Sequence, residues 1–160
     1  MIALANDSAT EKLRVWYVEA VDNESKIEAA LSLIKDVNTE HPVVLAYKGA
    51  FEALKAKHVW SPYTKLECLN LGQSILKKAI QKDPDNVEIR FLRFSINHYL
   101  PDFLRDSSEL ILDKKTIYQN IEAGIKNGLS QDVVHTIAQF LIDSKRCTFK
   151  ERQLFTKLAK

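Results

Sequence analysis

The sequence predicts an all-α protein built from about four helix pairs, roughly eight helices, and three observations predict it. Apolar residues recur at three- and four-residue steps almost from end to end. Only four glycines and four prolines occur in 160 residues, too few for a β-sandwich or barrel, which turns about every 8–12 positions. Capping residues, prolines and a glycine mark helix boundaries at regular distances. Apolar residues make up 46% and charged residues 28%, an ordinary globular balance, and the length suffices for a core without disulfides or metals. No apolar run reaches the roughly 18 residues of a membrane-spanning helix.

Ser8-Ala-Thr-Glu11 reads as a capping box opening the first helix, with Leu13, Trp16, Tyr17, Ala20 and Val21 on one face. Asn23 or Ser25 opens the second, whose inner face carries Ile27, Ala30, Leu31, Ile34 and Val37. The third runs from about Pro42 to Lys57. Ser61-Pro62 caps the fourth, with proline at the first helical position where its missing N–H costs nothing. Leu66, Leu69, Leu76, Ala79 and Ile80 form that helix's stripe. Asp85-Asn-Val-Glu88 starts the fifth, which stops before Pro101 because the residue preceding proline disfavours helical geometry. Residues 101–112 are less regular, with a short turn expected over 107–112. A sixth helix then spans about 113–127, ending at Gly128. Ser130 caps the seventh, and Thr148-Phe-Lys-Glu151 forms a second capping box for the eighth.

Pro42, Pro84 and Gly128 close successive pairs at spacings of 42 and 44 residues. Such a period marks a helical repeat, whose hairpins must stack to hide their apolar stripes. One domain over 1–160 is expected, with repeats at roughly 8–41, 42–84, 85–128 and 129–160.

The stretch Leu76-Lys-Lys-Ala-Ile-Gln-Lys-Asp-Pro-Asp-Asn86 resembles the end of a tetratricopeptide repeat, where a small Ala (here Ala79) precedes a helix-breaking Pro (here Pro84) by five residues. Gly72 and Leu76 fall where that motif wants a small and a large residue. Ala30, Ile34 and Val37 match before Pro42, with Tyr17 and Val18 on the paired helix. The period exceeds the family's roughly 34 residues, with the extra residues at 58–62 and 100–112. The Trp-x-x-Leu-Gly-x-x-Tyr signature is absent. The chain thus resembles divergent tetratricopeptide-like proteins of the kind found in bacteria. The resemblance implies a right-handed α–α superhelix that binds proteins or peptides, generally without catalysis.

The fifth helix carries the most informative polar feature. Asn86, Arg90, Arg93 and Asn97 fall at steps of four, three and four, on a stripe opposite Phe91, Leu92, Ile96 and Tyr99. An Arg pair holds a carboxylate through parallel hydrogen bonds better than Lys does, so Arg90, Arg93 and Asn97 are candidate ligand-binding residues. Tyr47 and Lys48 on the third helix, with Arg14 and Tyr17 on the first, extend the candidate groove. The plainer alternative pairs Arg90 and Arg93 with acids such as Asp85, Glu88 or Asp102. A helical-bundle enzyme, with an anion pocket around Arg90 and Arg93 and His98 and Asp102 nearby, is the second functional reading.

Phosphate loops, HExxH and GxSxG motifs are absent from the sequence, and no catalytic residue, cofactor or metal is expected. His41, His58, His98 and His135 share no ligand spacing and read as capping or surface residues. Gly49 and Gly72 lie within predicted helices, where close backbone contact is the expected compensation. Cys68 and Cys147 read as small hydrophobes, and Trp60 as either a loop staple or an exposed anchor. The formal net charge is +2, but residues 144–160 hold six cations and one anion. That tail reads as a solvated face; nucleic acid is the lesser expectation. The expected partner is a protein or peptide, without a membrane. A cytoplasmic location is favoured, with export the alternative if Ala3-Leu4-Ala5 ends a trimmed leader.

Overall fold

The computed structural model of the chain describes residues 2–160, with side chains from Asp7 onward. Among the described residues there are eight α-helices, one 3-10 turn and no strand. No described helix is long and apolar enough to cross a membrane. The chain divides into two compact units, Met1–Pro84 and Asp85–Lys160, at the second of the predicted repeat boundaries. The side chains of Ala3-Leu4-Ala5 lie outside the described residues.

The first unit holds α1 (Ile2–Ala20), α2 (Glu24–Lys35), α3 (Pro42–Leu54, prolonged by the 3-10 turn Lys55–Lys57) and α4 (Pro62–Lys82). Asn23 caps α2 by accepting from Ser25 N at 3.1 Å, and Ser61 caps α4 by accepting from Thr64 N. The helix α3 is buried along most of its length, and small residues let α4 approach it closely. A Cβ built on Gly72 would lie 2.5 Å from the Gly49 carbonyl oxygen and 2.6 Å from Ala53 N. One built on Gly49 would lie 2.9 Å from Gly72 O and Leu76 N. Backbone atoms are among the nearest neighbours at both positions, beside Ala53 Cβ and Leu76 Cγ, so the helices touch main chain to main chain. The expected compensation for mid-helix glycine is therefore present.

The end of α1 is caught by the turn after α3. Lys57 Nζ donates to Val21 O at 2.6 Å and Asp22 Oδ1 at 3.0 Å, and His58 Nε2 donates to Ala20 O at 3.0 Å. Helix ends leave carbonyls without intrahelical partners, and cations suit them. His58 is thus a capping residue.

The second unit holds α5 (Val87–Tyr99), α6 (Ser107–Lys126), α7 (Gln131–Asp143) and α8 (Phe149–Leu158). Its core joins Phe91 and Phe94 of α5, Ile117 and Ile121 of α6, Val134, Ile137 and Leu141 of α7, and Phe155 of α8. Asn86 and Ser130 cap α5 and α7. The capping box at α8 forms as expected, with Thr148 N donating to Glu151 Oε2 at 2.7 Å and Glu151 N to Thr148 Oγ1 at 3.3 Å. Gly128, at φ +97°, ends α6 in a Schellman turn: its N–H reaches Ile125 O and that of Leu129 reaches Gly124 O. Arg105 closes the end of α5 by donating to the carbonyls of Asn97, His98 and Leu100.

Three expectations are corrected. The helix α1 begins at Ile2 rather than at the Ser8 box, because Ile2-Ala-Leu-Ala5 is itself good helix-forming sequence. The short turn over 107–112 and the sixth helix are one continuous helix, α6, opened by Asp106, whose carboxylate accepts from Ser108 N and Glu109 N at 2.9 and 3.1 Å. Leu66, placed on the inner stripe of α4, is 44% exposed, since the buried residues of α4 begin only at Gly72.

Gly72→Ala is expected to lower stability by about 1–3 kcal/mol, because backbone must move to admit a methyl group. Gly124→Ala, whose Cβ would meet only ordinary contacts, is expected to be neutral or mildly stabilising by its helix propensity. Denaturant unfolding of the two variants separates close approach from propensity.

Candidate functional site

Arg90 and Arg93, expected to line a groove for a ligand's carboxylate or else to pair with acids such as Asp85, Glu88 or Asp102, are buried on α5 and hold a different carboxylate. The carboxylate is Asp113 of the same chain. Arg93 grips it with two parallel bonds, Nε to Oδ2 at 2.7 Å and Nη2 to Oδ1 at 2.8 Å. Arg90 Nη1 adds a third at 3.0 Å to Oδ1, and Arg93 Nη1 reaches Glu109 Oε1 at 2.8 Å. The Asp113 side chain is fully buried, and those of both arginines are nearly so. Two guanidiniums and two carboxylates thus form a locally neutral cluster joining α5 to α6. For Arg93 burial opposes the charged form, but hydrogen bonding to Asp113 and the charges of Asp113, Glu109 and Asp106 outweigh it and raise its pKa above the ordinary arginine value.

The other candidates lie elsewhere in the framework. Asn97 is buried at the end of the stripe, and its carbonyl accepts from Arg105. In the first unit Tyr47 is buried in an aromatic cluster, 6.1 Å from Tyr17 and 6.3 Å from Phe51 between ring centroids. Lys48 beside it is half-buried. Of the residues in the enzyme reading, Asp102 pairs with Arg105 at 2.6 Å and His98 with Arg146, so each has a partner of its own. Among the described residues, no three His, Cys, Asp or Glu side chains converge as a metal would require. Cys68 and Cys147 are free thiols; burial pushes the Cys147 thiol up, away from nucleophilic chemistry. In the basic tail Lys150, Arg152, Lys157 and Lys160 are exposed.

Asp113 was not singled out by sequence reasoning, although a signal exists. Leu110, Asp113, Ile117 and Ile121 share one face of α6, and the three apolar members belong to the core. An aspartate on a buried apolar stripe demands a cationic partner, since an unpaired charge there is costly.

His98 stacks on Phe94 with ring planes 9° apart, and its Nδ1 accepts from Arg146 Nε at 3.0 Å. That bond requires an unprotonated Nδ1. Burial, then the charges of Arg146 and Arg105, hold its pKa below 6.5.

Asp113→Ala is expected to cost about 3–5 kcal/mol, because it removes three charge-assisted hydrogen bonds from two buried guanidiniums; thermal unfolding measures it. For His98, a lowered folded-state pKa means that the unfolded chain takes up the proton first as pH falls. Stability is expected to drop as pH falls below 6.5 and to level off under the folded value. An NMR titration of the His98 ring should place its midpoint below 6.5; a midpoint above it contradicts the Arg146 bond.

Comparison with family models, with curated proteins and with solved structures finds no match to this chain.

Proposed function

We propose that the chain is a non-catalytic protein- or peptide-binding module built from helix pairs of the tetratricopeptide kind. The α3–α4 hairpin supports the architecture: small residues set the helix approach, Ala79 is buried, and α4 ends just before Pro84. Arg90 and Arg93 already engage Asp113 and Glu109, so the binding surface is placed where apolar side chains face water on a fixed frame.

The observation that carries the reading is Trp60. It is 96% exposed, and Tyr63 one turn on is 72% exposed. Of the two alternatives for Trp60, loop staple or exposed anchor, the exposure favours the anchor. Trp60 just before the Ser61 cap, and Tyr63 and Leu66 in the first turns of α4, follow one another at every third residue and are all exposed. An exposed tryptophan contributes nothing to the core, whereas at an interface it is among the strongest anchors.

Selection of peptides from a displayed random library against the whole protein tests this. Selected peptides are expected to lose about 30-fold or more in affinity to Trp60→Ala, in keeping with anchors worth about 2 kcal/mol. That variant's unfolding free energy should stay within about 0.5 kcal/mol of wild type. Failure to enrich any peptide, or binding indifferent to Trp60, contradicts the reading.

A further inference from the structure

The helix α8 turns its acid inward and its cations outward. Glu151 is buried, where it closes the Thr148 box and pairs with Lys114 at 2.9 Å. Phe155 lies in the core, with Leu154 and Leu158 packed against it. The outward arc holds Phe149, Lys150, Arg152, Gln153, Thr156 and Lys157, all exposed, with no anion among them. Lys150, Arg152 and Lys157 have no ion-pair partner among the described residues. In the first unit, by contrast, Lys57 pairs with Asp22 and Lys82 with Glu40.

The helix itself does not need these cations. A cation supports the last turn of a helix and opposes the macrodipole in the first. Lys157 stands in the last turn, but Lys150 and Arg152 fall within the first four residues. Phe149, at the head of the helix, is 76% exposed, so most of its ring contributes nothing to the core. Charge alone made nucleic acid the lesser expectation for this tail. The burial of its one acid and the exposure of this ring raise it.

We propose that the outer face of α8 binds single-stranded nucleic acid without sequence preference. Lys150, Arg152 and Lys157 meet backbone phosphates, and a base stacks on Phe149. Binders of this kind join cations that follow the backbone to an aromatic ring on which any base can stack. Two of the three cations are lysines, point charges that suit phosphate, whereas carboxylate recognition favours the arginine fork. That sets a phosphodiester chain above an acidic peptide. A membrane fits less well, because lying in a bilayer interface takes an apolar helix face. The apolar face of α8 is packed in the core, which leaves Phe149 alone outside. This surface is independent of the Trp60 reading.

Fluorescence anisotropy of dye-labelled oligo(dT), titrated with the whole protein, tests the proposal. Saturable binding is expected, its log affinity falling against log salt with a slope of about −2, as for three phosphate contacts on a single strand. The triple change Lys150→Gln, Arg152→Gln and Lys157→Gln should weaken binding about tenfold or more and flatten that slope. Phe149→Ala should weaken it about fivefold or more at an unchanged slope, because stacking releases no counterions. These positions are exposed, so both variants are expected to keep the wild-type Tm. Polyglutamate of the same length should compete about tenfold less well or worse. No saturable binding at low salt, affinity indifferent to Phe149→Ala, or polyglutamate or phosphatidylserine vesicles bound as tightly as oligo(dT) overturns the assignment.

Discussion

Asp113 has no water to solvate it. A buried carboxylate is tolerated only when charge-assisted hydrogen bonds replace its hydration, and Asp113 receives three from two arginines of one neighbouring helix. This sets the register of α5 against α6, because Arg93's planar fork meets both oxygens at one rotation of each helix. The apolar residues flanking the cluster inherit that register: Phe91 and Phe94 on α5, Leu110 and Ile117 on α6, all in one core. The cluster's value is in specifying that geometry, since apolar replacements of similar volume often match such networks in stability.

The first unit reaches its packing by the opposite route. Between α3 and α4 no charge is needed, because Gly49 and Gly72 bring main chain against main chain. Polar ties stand at the periphery, where Lys57 and His58 close α1 and Lys82 pairs with Glu40 at 2.5 Å. These exposed pairs add little stability but fix loop ends. The proposed recognition surface lies outside this frame, at the exposed Trp60 and Tyr63 by the start of α4.

Helix boundaries were legible wherever one polar side chain decides them locally. Asn23, Ser61, Ser130 and the Thr148–Glu151 box act within three residues, so sequence spacing contains the whole interaction. The expected turn over 107–112 begins where α6 does, at Ser107, but its continuity through Asp113 into one helix was missed. The chemistry of the arginine stripe was legible, since residue type and helical spacing determine what a paired guanidinium can grip. The source of the carboxylate was not: Asp113 lies 20 residues beyond Arg93, and only folding brings it there. Leu66 illustrates the same limit, because periodicity marks an apolar face without saying whether another helix covers it.

The most direct test of the central interaction is a double-mutant cycle between Arg93 and Asp113, using Arg93→Met, Asp113→Leu and the pair, read by denaturant unfolding. A buried, bidentate contact predicts strong coupling: each single change is costly, and the double change costs less than their sum by about 2 kcal/mol or more. Additivity within about 0.5 kcal/mol would mean that Asp113 does not hold Arg93. The register of α5 against α6 would then rest on their apolar packing.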